Sequence, residues 1–158
     1  MPPLLALALA LVPAEPPTVR LESVRYADLA AEVKGLQGKV VLVDVWGSFC
    51  APCKEKFPTV VALSGKYAGR GLAVISVSVD PPDDADARAA ARDFLVRQKA
   101  TFRNVILSDK AEVWQANWKI DGPPLLFLFD KRGRLAARWD GKYDPAAVET
   151  KVAGLLDE

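Results

Sequence analysis

The sequence predicts an α/β domain, a three-layer sandwich around a central mixed sheet. Three observations point there. Apolar, strand-like runs alternate with amphipathic helical stretches through the middle of the chain. The run Val40-Val41-Leu42-Val43-Asp44-Val45-Trp46 is almost continuously apolar, as suits a parallel strand covered on both faces. Late in the chain, Leu125–Phe129 and Leu135–Trp139 flank Lys131-Arg132-Gly133 and read as a hairpin, which adds antiparallel pairing. With 158 residues and 51% hydrophobic composition, one compact domain is expected.

Leu4 to Val12 is an unbroken apolar run, too short for a bilayer span of about 20 residues. It matches the core of an export signal, and Val12-Pro13-Ala14 offers cleavage residues before Glu15. No Lys or Arg precedes Arg20, so only the α-amino group charges the leader. Residues 1–14 are expected to be a signal peptide, 15–19 a linker and 20–158 the folded domain. The protein is expected to be periplasmic or otherwise exported, without a stable membrane span. No cysteine lies near the run, so no lipid anchor is expected.

The elements follow in order. Arg20–Val24 reads as a short edge strand. Leu29, Val33 and Leu36 have helical spacing over Tyr26–Leu36, and Gly38 stops that helix. Val40–Trp46 is the first central strand. A helix from Cys50 to about Ala68 buries Phe57, Val60, Val61 and Tyr67, and Gly69 and Gly71 end it. Leu72–Val79 is the second strand. Pro81 to Asp84 open a charged helix running to about Lys99, and Phe102–Leu107 is a further strand. Asp109 and Glu112 are spaced as a capping box for a helix carrying Trp114 and Trp118. Those tryptophans sit four apart, as a core stripe would. Pro145 opens the last helix, which ends near Leu156.

The chemistry concentrates at Cys50-Ala51-Pro52-Cys53. These are the only two cysteines, placed just after the central strand. Closing so short a loop stabilises a fold by only about 2 kcal/mol, so the pair makes more sense as chemistry than as a staple. If the strand ends near Trp46, Cys50 lies where a helix begins. Unpaired N–H groups and the positive end of the helix dipole then favour its thiolate, the nucleophile of disulfide exchange. Cys53 lies one turn on, on the same face, placed to resolve a mixed disulfide on Cys50. Cys50 is expected to be the exposed thiol and Cys53 the shielded one. Pro52 suits the first helical turn, and Lys54 adds a nearby positive charge. A zinc site needs about four ligands, and the chain has no histidine and no further cysteine; no metal and no cofactor are expected. Net charge is +1 with no basic cluster, which argues against a nucleic-acid partner.

The segment Val43 to Lys54, with its Trp46-Gly47-Ser48-Phe49-Cys50-Ala51-Pro52-Cys53 core, resembles the active-site segment of thioredoxin-fold thiol–disulfide oxidoreductases. Pro58 matches the proline inside the helix that follows. Gly122-Pro123-Pro124-Leu125 resembles the family's Gly-x-Pro segment, whose proline is cis and faces the cysteines. The extra αβ segment between the two halves, and Trp46-Gly47-Ser48, resemble the TlpA-like branch of exported thiol reductants. The likeness covers roughly residues 36–158 and implies a thioredoxin-like fold for 20–158. Three positions depart from it. Lys56 stands where many TlpA-like members carry glutamate, Phe49 where tryptophan is common before the first cysteine, and Asp44 is closer to thioredoxin itself.

The resemblance implies protein thiols and disulfides as substrates and an electron-donor protein as partner. Asp44 is a charge inside an apolar strand; burial should raise its pKa, so that it can exchange a proton with Cys53. A purely structural aspartate is the alternative. Asp80, at the end of the next strand, has a weaker claim to proton exchange and reads first as a turn residue. Trp46 is expected to shield the cysteines and, with Phe49, Pro123 and Pro124, to border the substrate. Pro123 either deprives the substrate of a backbone N–H or simply stiffens the loop. Three further readings are weighed. One is an oxidant or isomerase in disulfide folding. Another is a non-catalytic thioredoxin-like binding module. The third is a peroxidase of the peroxiredoxin kind, whose peroxidatic cysteine usually follows a Thr-x-x pattern; here Gly47 fills that place.

Overall fold

A computed structural model describes residues 18–158 of the chain. The expected signal peptide, and all of the expected linker but Thr18 and Val19, lie outside the described residues. Among the described residues, six strands form one mixed sheet in the order β1-β4-β3-β2-β5-β6. They are β1 (Glu22–Val24), β2 (Val40–Trp46), β3 (Leu72–Ser78), β4 (Arg103–Leu107), β5 (Leu125–Phe129) and β6 (Leu135–Asp140). The pairs β1–β4, β4–β3 and β3–β2 are parallel, whereas β2–β5 and β5–β6 are antiparallel. This is the thioredoxin-like α/β sandwich that the resemblance implies.

Among the described residues, five α-helices cover the sheet: α1 (Tyr26–Gly35), α2 (Ala51–Tyr67), α3 (Ala85–Arg97), α4 (Ala111–Trp118) and α5 (Pro145–Asp157). The side chains of β2 alternate between the two faces, as strand geometry requires. Val41, Val43 and Val45 enter a core with Leu29 of α1 and Trp114 and Trp118 of α4. Val40 and Leu42 pack on the opposite face against Val60, Leu63 and Tyr67 of α2 and Val148 and Val152 of α5. Trp46 continues that second face, in a cluster with Phe57 of α2, Phe94 of α3 and both cysteines. Each large apolar side chain fully buried in this way contributes roughly 1.5–3 kcal/mol.

Local chemistry explains the boundaries. Gly71, at φ +101, takes the left-handed conformation that ends the α2 region after a 3-10 turn at Ala68–Arg70. Gly69, also expected to end the helix, lies inside that turn. Asp84 caps α3 by accepting from the N–H groups of Asp86 and Ala87. One expected cap does not form. α4 starts after Lys110, which makes no side-chain capping bond. Asp109 instead accepts from the N–H of Tyr26, at the start of α1. The cause is β1–β4 pairing, with Val24 beside Leu107 and Ser108 N–H on the Val24 carbonyl at 2.8 Å. That pairing brings Asp109 to the open N–H groups of α1.

Candidate active site

β2 ends at Trp46, and Gly47, Ser48 and Phe49 carry the chain to Cys50, the N-cap of α2. The N–H of Cys50 donates to the Gly47 carbonyl at 3.0 Å and the N–H of Lys54 to the Cys50 carbonyl at 3.2 Å. The Cys50 sulfur accepts from the N–H of Cys53 at 3.3 Å. It occupies the place that a capping hydroxyl or carboxylate oxygen takes in other helices. A thiolate there would meet an N–H group and the positive end of α2 together. Pro52 sits in the first turn, where its missing N–H leaves no bond unmade.

Cys50 and Cys53 form a disulfide with their Cα atoms 5.3 Å apart. Cys50 is 7% exposed and Cys53 3%. The order of exposure is as expected, but an exposed Cys50 is not what this oxidised state presents. Trp46, Phe57 and Phe94 pack in one buried cluster with both cysteines.

Asp44 lies on the same sheet face as Trp46, two residues earlier on β2. It is 4% exposed, and burial pushes its pKa up to about 7. Such a carboxyl takes up and releases a proton near neutral pH. Tyr143, from the segment between β6 and α5, packs into the same layer. Burial, with the Asp44 charge adding to it, holds the Tyr143 phenol above its usual range.

The expected substrate border divides. Trp46 is fully buried, at 0% exposure. Its ring packs edge-on against Phe57 at 5.4 Å and lies 5.0 Å from the Phe94 ring. Its indole N–H donates to the Ser76 hydroxyl at 3.3 Å. The alternation of β2 puts Trp46 on the sheet face covered by α2 and α3, so it packs beneath the cysteines and offers no exposed surface. Phe49 is the opposite, an apolar ring 64% exposed one residue before Cys50. It folds back over Gly47: a methyl group built on Gly47 would stand 2.8 Å from the ring's Cζ.

Pro123 and Pro124 are half-buried and joined by a cis bond. Val45 pairs with Leu125, so the next residues along, Trp46 and Pro124, bring the proline segment to the same end of the sheet as the cysteines. The Pro124 carbonyl accepts from the N–H of Gly141 at 2.9 Å, tying the segment to the end of β6. Beside the cysteines, a cleft of about 250 Å³ is lined by Ser48, Lys54, Ala90, Asp93, Phe94 and Arg97. Among the described residues, no group of three or more His, Cys, Asp or Glu side chains is placed to hold a metal ion.

One tie of the site escapes the sequence reading. Asp80, read as a turn residue, is only 1% exposed and accepts from the backbone and hydroxyl of Ser48 and from the hydroxyl of Ser78. The spacing Ser78-x-Asp80 after an apolar strand was the one available signal, and it does not point to Ser48.

The AhpC/TSA family profile matches residues 15–138, most of the chain. Thiol:disulfide interchange protein HelX of Rhodobacter capsulatus is 28% identical over 152 residues, covering 96% of this chain and 80% of its own. Thiol-disulfide oxidoreductase ResA of Bacillus thuringiensis is 28% identical over 118 residues, covering 75% of this chain and 64% of its own. The solved structure of a thiol:disulfide interchange protein DsbE from Chlorobium tepidum superposes with a TM-score of 0.65. It is 27% identical and covers 77% of this chain and 83% of that one. The fold, the Cys50–Cys53 pair at the start of α2 and these relatives agree. The chain belongs to the AhpC/TSA family, in its TlpA-like branch of thioredoxin-fold thiol–disulfide oxidoreductases.

Proposed function

We propose that the protein reduces disulfides of other proteins outside the cytoplasm through the Cys50–Cys53 pair. The observation that carries this reading is the N–H of Cys53 on the Cys50 sulfur at the head of α2; Asp44, buried on β2 with its pKa pushed up to about 7, supports it. In the reduced protein, the Cys50 thiolate attacks a substrate disulfide. One substrate sulfur leaves as thiolate and a mixed disulfide forms on Cys50. Cys53 gives its proton to the Asp44 carboxylate and attacks the Cys50 sulfur, which releases the second substrate thiolate. The substrate gains two electrons and the protein is left as the Cys50–Cys53 disulfide. An electron-donor protein of the dithiol class then restores the reduced pair.

The substrate surface in this reading consists of the Phe49 ring and the Pro123–Pro124 segment. The residue before the family's proline normally lends its N–H and carbonyl to an extended peptide, as in strand addition. Pro123 has no N–H, so this chain offers one donor fewer and binds peptides with less sequence preference. Residues 1–14 act as an export signal, 15–19 as a linker and 20–158 as the working domain. Among the described residues, no helix is long and apolar enough to cross a membrane.

The test is insulin reduction by the reduced protein, with the Cys53→Ser variant used as a trap. Reduction by the intact protein, and accumulation of a mixed disulfide on Cys50 in the variant, is the expected result. A silent protein points to a binding module. Rapid peroxide consumption points to a peroxidase. Equilibration with a glutathione buffer sets the direction of flow, where 30 mV corresponds to about 1.4 kcal/mol.

A further inference from the structure

We propose that Asp80 is a positioning residue for the nucleophile: by holding Ser48, it sets Cys50 on the first N–H groups of α2. Asp80 follows β3, the parallel neighbour of β2. The N–H of Val79 donates to the Trp46 carbonyl at 2.9 Å, extending strand pairing past the end of both strands and bringing Asp80 beside the loop that leads to Cys50. There the Ser48 N–H lies 3.0 Å from each carboxylate oxygen of Asp80. The Ser48 hydroxyl donates to one oxygen at 2.5 Å and the Ser78 hydroxyl to the other at 2.6 Å. The N–H of Asp80 in turn donates to the Ser78 hydroxyl at 3.1 Å.

A carboxylate at 1% exposure with no cation among its described ion-pair partners is held by its hydrogen bonds. Here three of those four bonds converge on one loop residue, two positions before Cys50. Besides its disulfide, Cys50 has three hydrogen bonds of its own among the described residues. Its N–H reaches back to Gly47, its carbonyl accepts from the Lys54 N–H, and its sulfur reaches forward to the Cys53 N–H. Ser48 lies inside the turn that the first of these bonds closes. Freeing it lets the sulfur drift off the helix start, and a thiolate that leaves those N–H groups loses its stabilisation.

Positioning and plain electrostatics act in opposite directions on Cys50. The negative charge of Asp80 by itself disfavours a nearby thiolate, so removing only the charge would lower the Cys50 pKa. Losing the clamp would raise it. The experiment is iodoacetamide alkylation of Cys50 in the reduced full-length protein, followed by peptide mass spectrometry from pH 4 to 9. In this reaction the thiolate displaces iodide from carbon. Native folding of each variant is checked by circular dichroism.

In Asp80→Asn, which keeps the shape but cannot accept all of these bonds, the Cys50 rate at pH 6 should fall three- to tenfold. The midpoint of its pH profile should move up. The equilibrium with glutathione should shift by a similar factor toward the disulfide. A rate at pH 6 that is unchanged or faster overturns the proposal. If Asp80→Asn does not fold, Ser48→Ala decides: it removes one bond from the exposed side of the clamp and keeps the N–H. About a twofold fall with the same upward midpoint supports the clamp, and an unaltered profile overturns it. The alkylation readout needs no protein substrate, so its outcome stands apart from the insulin assay.

Discussion

Asp44 and Asp80 lie near the carboxyl ends of neighbouring parallel strands and are almost equally hidden, at 4% and 1% exposure. Their surroundings make them different tools. Asp80 is gripped by Ser48 and Ser78, so its charge is used in holding a loop. Asp44 has burial as the cause of its shift and a pKa of about 7, so its charge comes and goes with the proton. Burial alone does not assign a role to a carboxylate; the donors around it do.

The largest test of this contrast is the pH dependence of stability. The folded-state pKa of Asp44 lies near 7, against 3.8 for the ordinary group. Its protonated form therefore favours the folded state fully below pH 3.8, and that advantage is lost as pH rises through about 7. At about 1.4 kcal/mol per pH unit the loss totals roughly 4 kcal/mol. Asp130, held below its usual range by the backbone N–H of Arg134 and by further bonds to Arg134 and Arg132, works the opposite way in more acid solution. Urea unfolding between pH 4 and 8 should show the decline in the wild type and a flat profile in Asp44→Asn. An equal slope in both proteins removes Asp44 as its source.

Next in size, Asp80→Ala should cost about 3 kcal/mol at pH 7, because it leaves the Ser78 hydroxyl and the Ser48 N–H without their acceptor. Asp44→Asn should instead stabilise the protein above pH 7. A loss under about 1 kcal/mol for Asp80→Ala would mean that its bonds are not the strut inferred for them. Activity should split the pair again. Asp44→Asn should slow insulin reduction roughly a hundredfold, about 2.7 kcal/mol, and erase any inflection near neutral pH. An unaltered pH–rate profile takes Asp44 out of the mechanism.

The smallest effect serves as a control on both. Pro123→Thr restores a backbone N–H at the proposed substrate border and should tighten peptide binding about fivefold, near 1 kcal/mol. Stability should change by less than about 1 kcal/mol, with neither carboxylate signature altered. No gain in affinity would leave Pro123 as a stiffener of its loop.

Much of this was legible in the sequence, because the signals were local. β2 runs over the expected Val40–Trp46, since burial on both faces leaves a continuous apolar word in the chain. Cys50 and Cys53 announce themselves by spacing and context, and Asp44 by being a charge within that word. What stayed hidden depends on pairing between distant segments. Asp109 was assigned to the helix after it, yet it serves α1, which β1–β4 pairing sets beside it. Asp80 passed as a turn residue because its partner Ser48 is 32 positions away. Trp46 is an intermediate case. Its distance from Cys50 puts it near the site, but only the packing of Phe57 and Phe94 over that end of β2 buries its ring.

Gly47 and Phe49 form a pair whose tolerated substitutions depend on one another. The Gly47 backbone does not occupy the left-handed region, so alanine fits there conformationally. What alanine meets is the Phe49 ring, the end of an exposed side chain. A methyl group at 47 would swing that ring outward and reshape the lip beside Cys50, leaving the Asp80–Ser48 bonds and the N–H groups of α2 in place. With a small residue at 49, the same methyl group would meet nothing. The order in which these two positions change therefore decides what each change does. The surface one residue before Cys50 can change shape along this route while the sulfur pair keeps its place at the head of α2.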